Sequence, residues 1–185
     1  VQQLRVHGNH AICVCYTGLG TVVGVVERFA RGGAKLGQDE ALSGSVALNA
    51  VDGGITGQIG PGLLVFLGVA EEDEQADLDK IVKKVTELRI FKDDAGKTNH
   101  SLQDVNGELL IVSQFTLLAD CKKGRRPSFV KAGNPQKAEE MYEEFIRVCK
   151  EKVPKVEHGV FGADMKVELL NDGPFTILLD DAAFA

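Results

Sequence analysis

Apolar residues change their spacing several times along this chain, and each change marks an element. After the turn Gly60-Pro61-Gly62 comes Leu63-Leu64-Val65-Phe66-Leu67-Gly68-Val69, a continuous apolar run of strand length. A second such run, Leu109-Leu110-Ile111-Val112, follows the turn Asn106-Gly107, and Phe115 to Leu118 nearly resumes it. Between the two runs the period lengthens. From Asp77 onward, Leu78, Ile81, Val82, Val85 and Leu88 recur at helical spacing, while Asp79, Lys80, Lys83, Lys84 and Glu87 take the other side. A second helix is predicted to start at Asn134-Pro135, an N-cap followed by proline at the first helical position. Ala138, Met141, Tyr142, Phe145, Cys149 and Val153 give it one apolar side, and Pro154 follows its end.

The C-terminal part alternates like strands at Lys155 to Val160 and at Asp164 to Leu170. The turn Asn171-Asp172-Gly173-Pro174 then leads to Phe175-Thr176-Ile177-Leu178-Leu179. Toward the N-terminus the pattern is weaker, because glycines interrupt it. Val22 to Val26 and Ser45 to Asn49 read as short strands, residues 30–42 as a loop, and Asp52-Gly53 as the turn of a hairpin. Asp93-Asp94-Ala95-Gly96-Lys97 marks a further turn. Strands outnumber helices and several are joined by hairpin-length turns. The predicted class is α+β, mainly antiparallel sheet in a barrel-like arrangement, with two helices packed on it.

The length of 185 residues fits one domain with a substantial core. Residues 22–185 are assigned to that domain, and residues 1–21 are left as an unassigned N-terminal extension. No apolar run reaches the length of a membrane span, and the stretch 11–26 lacks the basic start of a signal peptide. Cys13, Cys15, Cys121 and Cys149 show no zinc or redox spacing and are expected as free thiols in a reducing compartment. His7, His10, His100 and His158 are scattered, with no metal-ligand spacing; no metal and no cofactor are expected. A net charge of −6 argues against coating nucleic acid through the overall field, and no DNA partner is expected. It leaves room for a local basic patch: Lys122, Lys123, Arg125, Arg126 and Lys131 fall within ten residues that hold no acid.

Two places carry candidate chemistry. Ser113, Gln114 and Thr116 interrupt an apolar strand, where a buried hydroxyl or amide costs stability unless it finds a partner. In a continuing strand, Gln114 and Thr116 would point to one face and Ser113 and Phe115 to the other. Two readings are open: ordinary polar groups paired with neighbouring backbone, or a strand lining a ligand pocket. Gly173-Pro174 is good turn chemistry, and a Gly-Pro peptide also takes the cis form at modest cost. No serine lies in a nucleophile-elbow motif, and Gly18-Leu19-Gly20-Thr21-Val22-Val23-Gly24 does not fit a dinucleotide fingerprint.

Together these features resemble the D-aminoacyl-tRNA deacylases. Ser113-Gln114-Phe115-Thr116-Leu117, followed by Lys122-Lys123-Gly124-Arg125-Arg126-Pro127-Ser128-Phe129, is similar to the first signature of that family. Asn171-Asp172-Gly173-Pro174-Phe175-Thr176 is similar to the second. Gly60 to Val69, Leu88-Arg89-Ile90-Phe91 and Phe161-Gly162-Ala163-Asp164-Met165 support the likeness, which runs in order from about Val46 to Asp180.

The resemblance implies a cytoplasmic homodimer that hydrolyses the ester of D-aminoacyl-tRNA, or of glycyl-tRNA(Ala), at an active site on the dimer interface. It assigns Ser113, Gln114, Phe115 and Thr116 to the adenosine and aminoacyl pocket, and Gly173 and Pro174 to a cis gate that rejects L side chains. Lys122, Lys123, Arg125 and Arg126 become a phosphate grip on tRNA. Arg28, in Val22 to Phe29, stands nearest to the arginine that supports the Gly-Pro turn in the family, with Glu27 where glutamine is usual. The ester is already activated, so positioning, an oxyanion donor near Phe115 or Thr116, and the tRNA 2′-hydroxyl suffice for catalysis. Thr116 as nucleophile ranks second. Phe175 replaces the usual valine. Two alternatives share the fold: a catalytically impaired tRNA-binding module, and an animal-type deacylase of misacylated L-Ala-tRNA, against which Ser113-Gln114-Phe115 speaks.

Overall fold

The computed structural model describes residues 4–6, 22–27, 47–171 and 176–180, of which 4–6 and 22–27 are described as backbone. The strands are β1 (Leu4–Val6), β2 (Val22–Glu27), β3 (Ala47–Val51), β4 (Gly54–Ile59), β5 (Gly62–Gly68), β6 (Phe91–Lys92), β7 (Thr98–His100), β8 (Glu108–Ser113), β9 (Val156–His158), β10 (Met165–Leu169) and β11 (Thr176–Leu179). The helices are α1 (Gln75–Glu87) and α2 (Pro135–Lys152). The fold is α+β, as the spacing predicts.

The strands form a four-stranded sheet in the order β1-β10-β3-β4, a five-stranded sheet in the order β11-β2-β5-β8-β9, and the small β6-β7 pair. Most pairs are antiparallel, but β5-β8, β8-β9 and β1-β10 are parallel. The two apolar runs of the sequence are the neighbours β5 and β8. They are apolar without alternation because both of their faces are covered. Leu63, Val65 and Leu67 of β5, with Leu109 and Ile111 of β8, pack with Leu78, Ile81 and Val85 of α1 and Tyr142 and Phe145 of α2. Leu64, Leu110 and Val112 face the other way, onto Ala47, Ile59, Met165, Val167 and Leu169 of the four-stranded sheet. The five-stranded sheet is thus the middle of three layers.

Local chemistry explains the element ends. Asp52 (φ 50°) and Gly53 (φ 81°) both take the left-handed backbone that closes the β3-β4 hairpin. Asn134 Oδ1 accepts the Lys137 N–H at 3.0 Å and caps α2, with Pro135 at its first position. Helix α1 begins two residues before the predicted Asp77. The Asp77 carboxylate turns back to accept the Glu74 N–H at 3.1 Å, so Asp77 serves the first turn from inside it. Strands β5 and β8 meet so closely at Gly62 that a Cβ there would lie 1.9 Å from the Glu108 carbonyl oxygen.

Candidate active site

Strand β8 ends at Ser113, which corrects the expectation of a strand continuing to Leu118. The Gln114 N–H still donates to the Leu67 carbonyl at 2.8 Å, but the backbone of Gln114 turns (φ −148°, ψ 78°) into a single 3-10 turn, Phe115–Leu118. Burial drives the change of course. Leu117 and Leu118 form an apolar cluster with Ala70, against which Phe66, Ala132 and Leu178 pack. Gly68, at the end of β5, makes room for the turn; a Cβ there would lie 3.0 Å from the Gln114 carbonyl oxygen and 3.3 Å from Leu117 Cβ.

The turn removes the alternation that a strand would impose. Ser113, Gln114, Phe115 and Thr116 all line one cavity of about 580 Å³. Its other walls come from the end of β5 (Leu67, Val69), the 132–133 loop, the start of α2 (Pro135, Ala138, Tyr142) and the segment from Phe161 to Met165. Most of this lining is apolar, with a few convergent polar groups, as a small-molecule site requires. The Gln114 side-chain amide donates to Thr116 Oγ1. No carboxylate or imidazole bonds to Thr116 among the described residues.

The backbone matters as much as the side chains. At the head of a helical turn the first N–H groups have no partner within the turn. Those of Phe115 and Thr116 donate to no acceptor among the described residues. They leave two fixed donors beside the cavity.

At the back of the cavity, Tyr142 is buried, and its hydroxyl lies 2.9 Å from the Ile111 carbonyl oxygen and 3.2 Å from that of Gly159. Burial pushes its ionisation well above the ordinary phenol value, so the hydroxyl stays a neutral donor. Burial likewise pushes the Cys149 thiol of α2 up to about 12. Cys149 and the exposed Cys121 are both free thiols, and Cys13 and Cys15 lie outside the described residues.

The basic run forms an exposed loop, residues 121–127. Its ends are tied by reciprocal backbone bonds between Asp120 and Ser128, of 2.7 and 2.9 Å. Lys122, Lys123, Arg125 and Arg126 are all exposed, and Lys123, Arg125 and Arg126 enter no ion pair among the described residues. Beyond the loop, Phe129 stands edge-on to Phe115 with ring centroids 5.1 Å apart. The loop and the cavity are therefore contiguous. Phe115 is 58 % exposed and Val130 85 %, high values for large apolar side chains.

Gly173, Pro174, Phe175 and Arg28 lie outside the described residues, as do His7 and His10. What frames two of these stretches is described. Asn171 Nδ2 donates to Thr176 Oγ1 at 3.0 Å across the 172–175 segment. Strand β11 runs antiparallel to β2 with Thr176 opposite Val26. No group of three or more His, Cys, Asp or Glu that could hold a metal ion occurs among the described residues. Nor is any helix among them long and apolar enough to cross a membrane.

Sequence reasoning did not assign Tyr142, Ala132, Gly133, Phe161 or Asp164 to the site. Tyr142 reads as one more apolar position of α2, and its hydroxyl is the one signal that could have marked it. The Phe161 to Met165 stretch carries the family likeness without any local sign of chemistry.

Sequence and fold find counterparts among proteins named as tRNA deacylases. The profile of a family described as D-Tyr-tRNA(Tyr) deacylase matches residues 42–180. The D-aminoacyl-tRNA deacylase of Clostridium kluyveri is 56% identical over 130 residues, covering 70% of this chain and 87% of that protein. That of Clostridium acetobutylicum is 51% identical over the same shares of both chains, and that of Thermosipho africanus is 55% identical. A solved structure titled c-Myc DNA Unwinding Element Binding Protein superposes with a TM-score of 0.72 at 33% identity, covering 86% of this chain and 97% of that one. A probable eukaryotic D-amino acid tRNA deacylase shares the fold at a TM-score of 0.70 and 15% identity, covering 88% and 100%. The class is therefore an α+β ester hydrolase of the tRNA deacylase kind. More particularly, the chain belongs to the D-Tyr-tRNA(Tyr) deacylase family.

Proposed function

We propose that this protein hydrolyses the ester of D-aminoacyl-tRNA, and of mischarged glycyl-tRNA(Ala), releasing the amino acid and free tRNA. The observation that carries the reading is the pair of unpartnered N–H groups, Phe115 and Thr116, beside a cavity lined by Ser113, Gln114, Phe115 and Thr116. Water adds to the ester carbonyl, the oxyanion is held by these two donors, and the bond to the ribose 3′-oxygen breaks as that oxygen takes a proton. Fixed donors aimed at developing charge need no reorganisation at the moment of reaction. The substrate's own 2′-hydroxyl assists the water. Thr116 as nucleophile is disfavoured because its oxygen accepts from an amide, and an amide is no base.

Lys122, Lys123, Arg125 and Arg126 grip the phosphates near the tRNA 3′ end; their exposure and the Phe129-Phe115 contact support this. Gly173-Pro174, as a cis peptide, presents carbonyl oxygens that exclude an L side chain. Arg28 supports that turn. Val26, two residues before Arg28, pairs with Thr176, two residues after Pro174. The active unit is a cytoplasmic homodimer with its sites at the interface, a reading supported by the exposed Phe115 in the cavity wall and the exposed Val130, two residues before Ala132.

A deacylation panel tests the proposal. D-Tyr-tRNA and glycyl-tRNA(Ala) are expected to be cleaved and L-Tyr-tRNA spared. Binding without cleavage would instead indicate an inactive tRNA-binding module, and cleavage of misacylated L-Ala-tRNA an animal-type deacylase.

A further inference from the structure

Asp120 joins two parts of the molecule that the proposed reaction uses together. The 3-10 turn that lines the cavity closes with the Ala119 N–H donating to the Thr116 carbonyl at 3.2 Å, and Asp120 is the next residue. It is also the neck of the basic loop. Its N–H donates to the Ser128 carbonyl at 2.7 Å, and its own carbonyl accepts the Ser128 N–H at 2.9 Å. Its carboxylate accepts the Lys122 N–H at 2.8 Å, the bond of an Asx turn. Backbone and side chain of one half-buried residue thus close the base of the loop and shape its first turn. Gly124, with a left-handed backbone (φ 73°), bends the middle of the loop.

The charge of Asp120 works against the loop's chemistry. Residues 121–131 hold Lys122, Lys123, Arg125, Arg126 and Lys131 and no acid, so a carboxylate at their base weakens their attraction for phosphate. Nor is that carboxylate taken up by a loop cation: Asp120 enters no ion pair among the described residues. What it gives the loop is geometry. Fixing a loop in its bound shape lowers the ordering cost of binding. Resting on the tRNA reading above, we infer that Asp120 is a positioning residue. Its carboxylate holds the basic loop, relative to the cavity, in the shape that meets the phosphates of the tRNA 3′ end. Shape outweighs the local charge repulsion.

The experiment compares kcat/KM for D-Tyr-tRNA with that for D-tyrosyl-adenosine, the same ester without any phosphate, at one fixed low salt. The wild type is expected to favour the tRNA by at least about tenfold, the effect of a few phosphate contacts. Asp120→Ala should lower that ratio by roughly threefold to tenfold, the worth of one hydrogen bond. Asp120→Asn keeps an acceptor oxygen for the Lys122 N–H and loses the charge, so its ratio should equal or exceed that of the wild type. Charge alone predicts a raised ratio for Asp120→Ala, and that result overturns the inference. An unchanged ratio overturns it too; if both esters slow alike, Asp120 serves the cavity and not the loop. So does an Asp120→Asn ratio as low as that of Asp120→Ala. Should Asp120→Ala not fold, Asp120→Ser takes its place, since a hydroxyl makes the same turn more weakly. Its ratio must then fall below that of Asp120→Asn. If the wild type cleaves both esters equally well, the loop's grip on tRNA falls and the inference with it; if it cleaves neither, the deacylase reading itself falls.

Discussion

The hydroxyl of Tyr142 lies 2.9 Å from the carbonyl oxygen of Ile111, and this bond fastens α2 to the strand that delivers Ser113 and Gln114 to the cavity. Ile111 also accepts the Gly159 N–H at 2.8 Å, so its oxygen keeps a partner when the hydroxyl is removed. Tyr142→Phe should therefore cost only about 1 kcal/mol, the net worth of one hydrogen bond. Urea unfolding checks this; a loss near the several kcal/mol of a cavity-forming core truncation would mean that the network matters more than the bond.

Gly68→Ala should disturb the site more than its size suggests. The new Cβ would press on the Gln114 carbonyl and on Leu117, the two groups that start the 3-10 turn. A stability loss of about 1–3 kcal/mol is expected, as for overpacking, together with reduced turnover. Unchanged kinetics would show that the turn tolerates displacement.

Thr116→Ala separates the two mechanisms. With the substrate's 2′-hydroxyl assisting water, turnover should fall by less than about tenfold, since the backbone N–H at position 116 survives the substitution. Removing a true nucleophile costs on the order of ten thousandfold or more. Single-turnover assays on the variant distinguish these outcomes.

The alkaline limb of stability follows from Cys149. Burial holds the thiol neutral up to about 12 in the folded protein, against an ordinary value of 9.0. Above pH 9 the unfolded chain therefore binds fewer protons than the native one, and stability falls as pH rises, by up to about 1.4 kcal/mol per unit. Tyr142, also pushed upward, steepens the fall above its ordinary value of 10.0. Urea midpoints between pH 8 and 11 should show the decline, and Cys149→Ala should flatten its first part while lowering stability at pH 8.

Arg125→Ala and Arg126→Ala should raise KM for the aminoacyl-tRNA and leave the fold intact, because both side chains are exposed. Each lost phosphate contact lowers the slope of log affinity against log salt by about 0.7 to 0.9. An unchanged salt dependence would detach the loop from RNA binding.

Much of the fold was legible because burial writes itself into spacing. The helix stripes from Leu78 to Val85 and from Ala138 to Cys149 face the sheet, and the runs in β5 and β8 are unbroken because two layers cover them. The 3-10 turn was not legible. Phe115-Thr116-Leu117-Leu118 is as apolar as a strand. Its turn is imposed by the cluster of Ala70, Leu117 and Leu118 and by the space left at Gly68, both distant in sequence. The site residues Ser113 to Thr116 stood out as polar groups in an apolar run, whereas Tyr142 and Asp164 join them only through tertiary packing.

The most direct test of the central claim is the ratio of kcat/KM for D-Tyr-tRNA to that for L-Tyr-tRNA, measured on the purified full chain. The proposed proofreading role predicts a ratio of at least about one hundred, the discrimination that rejection by unpaired or clashing groups can supply. A ratio near one, or no cleavage of the D-ester, would contradict it.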